Sequence, residues 1–170
     1  MGRVYQGWAP EGKVPVRFWV LSVLCSILPD FDVVGFAFGI DYDDLWGHRG
    51  MTHGLPFAFG VGVMVVLLAF SEVPRLSKAW WGLVFYFFVV TASHGLFDAF
   101  TDGGLGVAFF APFDATRYFF PWQPIRVSPI GASFFSGRGW ETLRSELLWL
   151  WLPSVVVFAG SILVRSKKKG

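Results

Sequence analysis

The chain has 170 residues, of which 54% are hydrophobic, 19% aromatic and only 15% charged. An ordinary soluble domain is about 45–50% apolar and about 25% charged, so this composition indicates an integral membrane protein. The formal net charge is only +2 and the basic residues form no extended stripe, which argues against a nucleic-acid partner.

Four apolar segments, taken in chain order, predict about four transmembrane helices in a single membrane-embedded domain over residues 1–170. They are residues 16–28, 55–70, 79–100 and 147–164. A span needs about 20 residues, so the third and fourth segments are long enough and the first two are marginal. Pro153 is expected to kink the fourth segment. The predicted fold class is an all-α polytopic membrane protein.

Two further stretches fall between these segments. Residues 33–40 are apolar but too short to cross a bilayer, so we predict a re-entrant or interfacial piece there. Residues 103–106 and 111–129 form a long connector that is rich in phenylalanine, tyrosine, tryptophan and proline. Such a composition is typical of an aromatic layer at the membrane interface.

The distribution of basic residues predicts the orientation of the chain. The tail RSKKKG, residues 165–170, is the strongest basic cluster and is expected to be cytoplasmic by the positive-inside tendency. With four crossings, the N-terminus with Arg3, Lys13 and Arg17 is cytoplasmic too, as is the loop 71–78. The loop 29–54 and the connector 101–146 then lie at the opposite, non-cytoplasmic face.

All three histidines of the chain lie near acidic residues that this topology brings to the non-cytoplasmic face. His94 and Asp98 are four residues apart and project from one side of the third helix. Asp102 follows one turn later if the helix persists, although Gly103 and Gly104 are expected to end it. The side chains predicted to meet at this face are Asp30, Asp32, His48, His53, His94, Asp98 and Asp102.

This combination of imidazoles and carboxylates is typical of a metal site. A charged side chain at the centre of a membrane helix costs about 2.5–3.5 kcal/mol, so compensation is needed. Histidine and aspartate without cysteine suit one or two ions of zinc, with manganese or iron as alternatives. A site that leaves room for water suits hydrolysis, because the metal lowers the pKa of bound water towards about 7.

Each of these residues also fits a structural role. His94 alone would fit a histidine bonded to a neighbouring helix, Asp30 a helix cap, and Arg49 an interfacial arginine whose charge reaches the membrane surface. Thr52 and Ser93 fit either hydrogen bonding to ligands or helix packing. At the level of function, the alternatives are a metal-ion or proton transporter and a metal-stabilised membrane protein without catalysis. A transport pathway would continue through the bilayer, whereas these polar groups stop at one face.

Three motifs in the chain resemble the signature of the YdjM-like family of membrane-bound metal-dependent hydrolases. They are LPDFD (residues 28–32), GHRGMTHG (47–54) and SHGLFDAFTDGGLG (93–106), and the likeness extends from about residue 15 to about residue 152. The resemblance implies a small inner-membrane protein with a metal-dependent hydrolase site. Two departures stand out: the chain lacks the histidine that many members carry near the N-terminus, and Gly54 replaces a usual serine.

From the residues and the resemblance together we predict a hydrolase that acts on a phosphoester of a lipid or lipid-linked substrate. Phosphoesters are favoured because the Asp and His pattern is also similar in kind to that of zinc-dependent phospholipases C. We expect catalytic roles for Asp32, His53 and Arg49. Arg49, or else Arg117 or Arg126, would bind the phosphate. The substrate would arrive laterally from the bilayer, and the sequence does not predict the oligomeric state.

Overall fold

The computed structural model describes the backbone of residues 14–167 and the side chains of residues 14–164. Arg3 and Lys13, and the side chains of the tail 165–170, on which the predicted orientation partly depends, lie outside this range. Within it the structure is helical, with two isolated β-bridges and no strand. The predicted all-α fold class is confirmed.

The described helices run in this order. α1 spans Val16–Ile27 and continues directly into a 3-10 helix, Leu28–Phe38. A 3-10 turn, Met51–His53, precedes α2, Leu55–Ala69, and α3 spans Lys78–Ala99. After a second 3-10 turn, Gly131–Phe135, come α4, Gly137–Glu146, a π-helical segment, Leu147–Trp151, and α5, Leu152–Lys167.

Three of these helical stretches are long and apolar enough to cross a membrane. They are Val16–Phe38, Lys78–Ala99 and Gly137–Val164. The second predicted span corresponds to α2, which has only 15 residues and so is about 22 Å long, against a hydrocarbon layer of about 30 Å. The polytopic membrane architecture is confirmed, with α2 as an apolar helix shorter than the three candidate spans.

The segment predicted as a re-entrant or interfacial piece, residues 33–40, mostly continues the first helix. Pro29 lacks an amide hydrogen, so the α-helical hydrogen-bond pattern cannot run through it, and the chain changes to the tighter 3-10 form. This form persists to Phe38, where Gly39 ends it with a positive φ of 79° and donates its N–H to carbonyls of the last turn. Three residues per turn therefore govern which side chains share a face here.

The chain divides into two compact units. The first contains the described residues up to Ala99 together with Leu105–Phe119, and the second contains Phe100–Gly104 and the described residues from Phe120 onward. The predicted aromatic connector is thus shared between the units, with divisions between residues 104 and 105 and between residues 119 and 120.

In the first unit α1, α2 and α3 form a bundle. Its core includes Phe18, Val66, Phe70, Leu83 and Phe87. α2 lies close against α3 because Gly62 has no side chain: an added Cβ would be 2.7 Å from the carbonyl oxygen of Val84. Small residues at such contacts are typical of helix packing in membranes.

One end of this bundle is marked by charged residues. Arg17 at the start of α1 forms an ion pair with Glu72 in the turn between α2 and α3, and its guanidinium lies over the ring of Phe70. Lys78 begins α3 at the same turn. We call this the basal end; the 3-10 turn Met51–His53 and the C-terminal end of α3 lie at the other.

In the second unit the long apolar helix contains a π-helical segment just before Pro153, where the sequence predicted a kink; the kink itself stays a prediction. The π-helical segment Leu147–Trp151 ends with a hydrogen bond from the amide of Leu152 to the carbonyl of Leu147, five residues back. All described side chains from Trp151 onward are exposed, as expected for a helix that faces lipid.

Candidate metal centre

Four of the predicted side chains direct one atom each at a common point in the first unit. His94 Nε2 lies 3.1 Å from Asp30 Oδ1 and 3.7 Å from Asp98 Oδ2. His53 Nε2 lies 3.2 Å from Asp98 Oδ2 and 3.7 Å from Asp30 Oδ1. The four atoms all lie within 4.8 Å of one another. We call Asp30, His53, His94 and Asp98 the four-residue cluster.

Each member of the cluster is positioned by a different helical feature. Asp30 follows Pro29 in the first turn of the 3-10 helix, and His53 is the last residue of the turn that precedes α2. His94 and Asp98 are one α-helical turn apart on α3, as the sequence predicted. The three elements meet at the end of the bundle opposite the Arg17–Glu72 pair.

Hydrogen bonds on the far side of each imidazole fix which ring nitrogen faces the cluster. His94 Nδ1 lies 2.8 Å from the carbonyl oxygen of Ser26, which can only accept, so Nδ1 carries the hydrogen. His53 Nδ1 lies 3.1 Å from both Thr52 Oγ1 and Asp32 Oδ2. The Nε2 atoms of both neutral rings therefore direct lone pairs at carboxylate oxygens, an arrangement that needs a cation between them.

Burial strengthens this requirement. The side chain of His53 is completely inaccessible, and its Nε2 atom, like that of His94, has no hydrogen-bond partner. Burial by itself lowers the pKa of His53, but the carboxylates of Asp30, Asp32 and Asp98 outweigh it and raise the pKa to about 10. The site therefore attracts positive charge, either as a proton or as a metal ion.

The spacing of the cluster fits a zinc ion. Four ligand atoms about 2.0–2.1 Å from a tetrahedral Zn²⁺ lie about 3.3–3.4 Å apart. Four of the six distances among the cluster atoms, those between imidazole nitrogens and carboxylate oxygens, run from 3.1 to 3.7 Å, and the other two are within 4.8 Å. Two nitrogens and two oxygens are also a donor set that zinc accepts without thiolates. The residues present therefore fit a bound divalent metal.

Asp32, predicted as a ligand and a catalytic residue, lies behind the cluster. Its Oδ1 is 2.8 Å from His48 Nδ1, and its Oδ2 accepts hydrogen bonds from the Thr52 hydroxyl at 2.7 Å and the Arg49 amide at 3.3 Å. With His53 Nδ1 as the fourth contact, its roughly four lone-pair positions are filled. We infer that Asp32 orients the histidines.

A second group able to hold an ion consists of Asp32, His48 and His53. In this structure its members already satisfy one another by hydrogen bonds, because His48 and His53 both contact the same carboxylate. An ion there would have to displace those bonds. The four-residue cluster has no such competition at the two Nε2 atoms, so a single ion is the better fit.

We expect Asp32→Asn to weaken zinc binding about 10–100-fold without abolishing it, which is typical for loss of a group that orients a ligand. The amide keeps only one acceptor oxygen and presents a donor either to His48 or to Thr52 and His53, all of which now contact an acceptor. Competition with a chelating dye would measure the affinity, and Asp114→Asn, on an exposed loop of the same unit, is the matched control. Complete loss of zinc from Asp32→Asn would make Asp32 a direct ligand.

Arg49 is almost fully buried and holds Asp98. Its guanidinium lies 3.2 Å from Asp98 Oδ1, which leaves Oδ2 for the cluster. Its backbone adopts a left-handed φ of 63°, its amide bonds Asp32 and its carbonyl accepts the amide of Ala108. One residue thus joins the loop before α2, the end of α3 and the loop after it. Phosphate binding by Arg49 stays a prediction, and its guanidinium already has a carboxylate partner.

The other two arginines predicted as phosphate ligands are also engaged. Arg117 donates to the backbone carbonyls of Tyr42, Asp44 and His48 and so fastens the loop before α2. In the second unit Arg126 is bonded to Asp102, whose carboxylate also accepts the amide of Val127. Asp102 is therefore committed within the second unit, and its predicted ligand role stays a prediction.

Comparison with known proteins agrees with the family resemblance that the sequence motifs indicated. The family model described as YdjM inner membrane protein matches residues 2–168. The chain belongs to the YdjM family. The inner membrane protein YbcI of Escherichia coli (strain K12) is 36% identical over 150 residues, which cover 85% of this chain and 82% of that protein. No solved structure matches the chain significantly.

Membership of the YdjM family confirms the resemblance seen in the sequence and establishes an inner-membrane location. At Gly54, where a serine is usual, an added Cβ would lie 3.2 Å from the carbonyl oxygens of Met51, Ala108 and Ala111. A side chain there requires a small shift of its surroundings.

Two hydroxyl residues were singled out in the sequence. Thr52 donates a hydrogen bond to the site residue Asp32, whereas Ser93 donates to the carbonyl of Val90 within its own helix.

Gly95 is a site residue that the sequence pattern did not identify. A Cβ at this position would lie 2.7 Å from the carbonyl oxygen of His53, so the glycine lets α3 pass directly beside the backbone of the histidine. The sequence did offer one indication, because Gly95 lies between the two candidate ligands His94 and Asp98 on the same helix. The sequence does not show which part of the chain packs against a glycine at this position.

We expect Gly95→Ala to displace His53, to weaken zinc binding and to destabilise the unit by about 1–3 kcal/mol, as overpacking does. Gly82→Ala is the matched control, since it lies on the same helix and an added Cβ meets nothing within 4 Å. Thermal unfolding in detergent and zinc content would be measured together. Equal behaviour of the two variants would contradict this role for Gly95.

Proposed function

We propose that this protein is a membrane-embedded hydrolase that uses one divalent metal ion, zinc, to cleave a phosphoester of a lipid or lipid-linked substrate. The observation that carries the proposal is the convergence of His53 Nε2 and His94 Nε2 with two carboxylate oxygens while both Nδ1 atoms are held from behind. Histidines oriented in this way are typical of metal sites.

The two carboxylates and two imidazoles of the cluster differ in solvent exposure, and we use this difference to assign their roles. The side chains of His53, His94 and Asp98 are 0%, 17% and 18% exposed, whereas that of Asp30 is 53% exposed. Three protein ligands and an open position are usual for catalytic zinc. The spacing permits all four residues as ligands, but on the basis of exposure we assign metal binding to His53, His94 and Asp98. Asp30 is placed at the open side, where its Oδ1 accepts a proton from the attacking water.

A zinc ion bound there would lower the pKa of a water molecule and stabilise the charge that develops on a phosphoryl oxygen. The protein's own residues do the rest. Asp32 and the Ser26 carbonyl keep both Nε2 atoms directed at the site. Arg49 binds Asp98 Oδ1 and so holds Oδ2 in place.

The depth of the site favours a lipid substrate. The α-helix from Lys78 to His94 advances by 16 residues, which is about 24 Å. The neighbouring helix α2 covers a similar distance of about 22 Å between the basal end and the site. If the charged basal end lies at one membrane surface, the site lies inside a hydrocarbon layer about 30 Å thick. Asp30 is followed by the exposed Phe31 and Asp98 preceded by the exposed Phe97, which fits entry from the acyl-chain region.

The same basal end supports the non-cytoplasmic location of the site. Arg17, Arg75 and Lys78 lie at or near the turn opposite the cluster, and basic loops are preferentially cytoplasmic.

A transport pathway is disfavoured, since residues 18–29, 55–69 and 79–93, between the basal end and the site, contain no acidic or basic residue and no histidine. A pathway would need such groups through the bilayer.

The proposal is tested on the full-length protein in lipid nanodiscs. Metal analysis is expected to give one zinc per chain, and the zinc-loaded protein is expected to release products from a mixture of phospholipids. A chelator should stop the reaction, and added zinc should restore it. Stoichiometric zinc without hydrolysis of any phosphoester would leave a metal-stabilised protein and would overturn the enzymatic proposal.

A further inference from the structure

We infer that the site accepts a phosphodiester with a single negative charge and discriminates against a phosphomonoester with two. This inference rests on the proposed function and specifies its substrate class. It follows from the charges that the first unit places around the cluster and from the partners that its arginines already have.

The charged side chains that belong to the four-residue cluster or contact it directly balance when a divalent metal is bound, without a substrate. Asp30, Asp32 and Asp98 contribute three negative charges. Arg49 contributes one positive charge and a divalent ion would contribute two. The histidines are neutral when they bind a metal. A substrate therefore adds its whole charge to a site that is neutral.

Neither arginine that the first unit places near the cluster is available to balance that added charge. Arg49 is bonded to the carboxylate and the carbonyl of Asp98, and Arg117 donates to backbone carbonyls of the loop before α2. The same loop carries Asp41, Asp43 and Asp44, which add negative charge at this end of the unit. Phosphate sites frequently bind the anion through two parallel N–H groups of an arginine.

The surroundings make an unbalanced charge costly. The inner side chains of the cluster are buried or nearly so, and the exposed neighbours on the open side include Phe31 and Phe97. In such a setting each uncompensated charge loses hydration that the protein does not replace. One charge can be shared with the metal ion, whereas neither arginine near the cluster among the described residues is left to pair with a second.

Hydrolysis increases the negative charge of the phosphate group, and this change favours release of the product. The oxygen of water forms a new P–O bond, one P–O ester bond breaks, and the two protons of water end on the departing alcohol and on the phosphomonoester product. Near neutral pH that product loses its remaining acidic proton, with a second pKa of about 6 for phosphate esters, and carries two charges. The product is then the species that the site discriminates against.

The test compares two lipids with identical acyl chains at pH 8: phosphatidylmethanol, a singly charged diester, and phosphatidic acid, a doubly charged monoester. Diacylglycerol acetate serves as the uncharged ester. Two readouts are taken on zinc-loaded protein in nanodiscs: release of products, and the rate at which a chelator extracts zinc at 4 °C. The second reports occupancy of the site without turnover. We expect the diester to slow extraction about tenfold more than the monoester and to be the one hydrolysed.

Hydrolysis or zinc protection by phosphatidic acid equal to that by phosphatidylmethanol would overturn the charge inference and leave the metal-dependent hydrolase intact. A preference for the uncharged ester would overturn both the inference and the phosphoester assignment. Protection by the diester without hydrolysis of any lipid would support the inference and overturn the enzymatic proposal. If no lipid protected zinc and none were hydrolysed, both would fail.

Discussion

Purified His53→Ala protein is expected to retain essentially no zinc, with an affinity at least about 100-fold below that of the unchanged chain, more than the loss of an orienting group costs. His53 is the one member of the cluster with no exposed side-chain surface, and its Nε2 contacts both cluster carboxylates. Removing it leaves three carboxylates without the imidazole that they share. Metal analysis after dialysis measures the result directly.

His48→Gln is the matched control for this experiment. His48 contacts Asp32 through Nδ1 but is not one of the four converging residues. Glutamine keeps an N–H donor for Asp32, so zinc should remain bound. Because His53→Ala can also impair folding, His94→Ala provides a second test on a partly exposed ligand. Loss of zinc from His48→Gln as complete as from His53→Ala would move the metal to the group of Asp32, His48 and His53.

Asp30→Asn is expected to separate catalysis from metal binding. If His53, His94 and Asp98 hold the ion, the asparagine variant keeps about one zinc per chain, and hydrolysis falls about 100- to 10,000-fold, as for loss of a general base. Both quantities are measured on the same preparation. Asp102→Asn, which also exchanges one carboxylate for an amide but within the second unit, should keep both zinc and activity.

Two other results would change the assignment of Asp30. Loss of zinc from Asp30→Asn would make it a fourth ligand, as the spacing of its Oδ1 to His94 Nε2 also permits. Full activity in the variant would remove it from the mechanism. Loss of zinc from Asp102→Asn would restore the predicted ligand role of Asp102.

The chemical composition of the site could be predicted from the sequence because few acids and only three histidines occur near the apolar segments. The spacing of His94 and Asp98 by four residues is enough to place both on one face of α3. What the spacing did not distinguish was Asp30 from Asp32. Two residues apart, they face different directions in either helix type, but which of them faces the histidines depends on the path of the chain after Pro29.

The role of Arg49 was inaccessible to the sequence for a similar reason. Its side chain reaches Asp98 only because its own backbone is left-handed and the loop from Gly47 to Gly54 folds in consecutive turns. Such loop geometry depends on contacts with residues far along the chain, including Ala108 and Arg117. Hydrophobic periodicity predicts helices and their lengths but not the path of a polar loop.

The proline at the end of α1 has an effect beyond the helix that it interrupts. Pro29 has no hydrogen to give to the carbonyl three residues earlier, which is that of Ser26. That oxygen is the one that receives the hydrogen of His94 Nδ1. A missing backbone donor in one helix thus selects the tautomer of a histidine in another, and a substitution that supplied the donor, Pro29→Ala, would compete for the same acceptor.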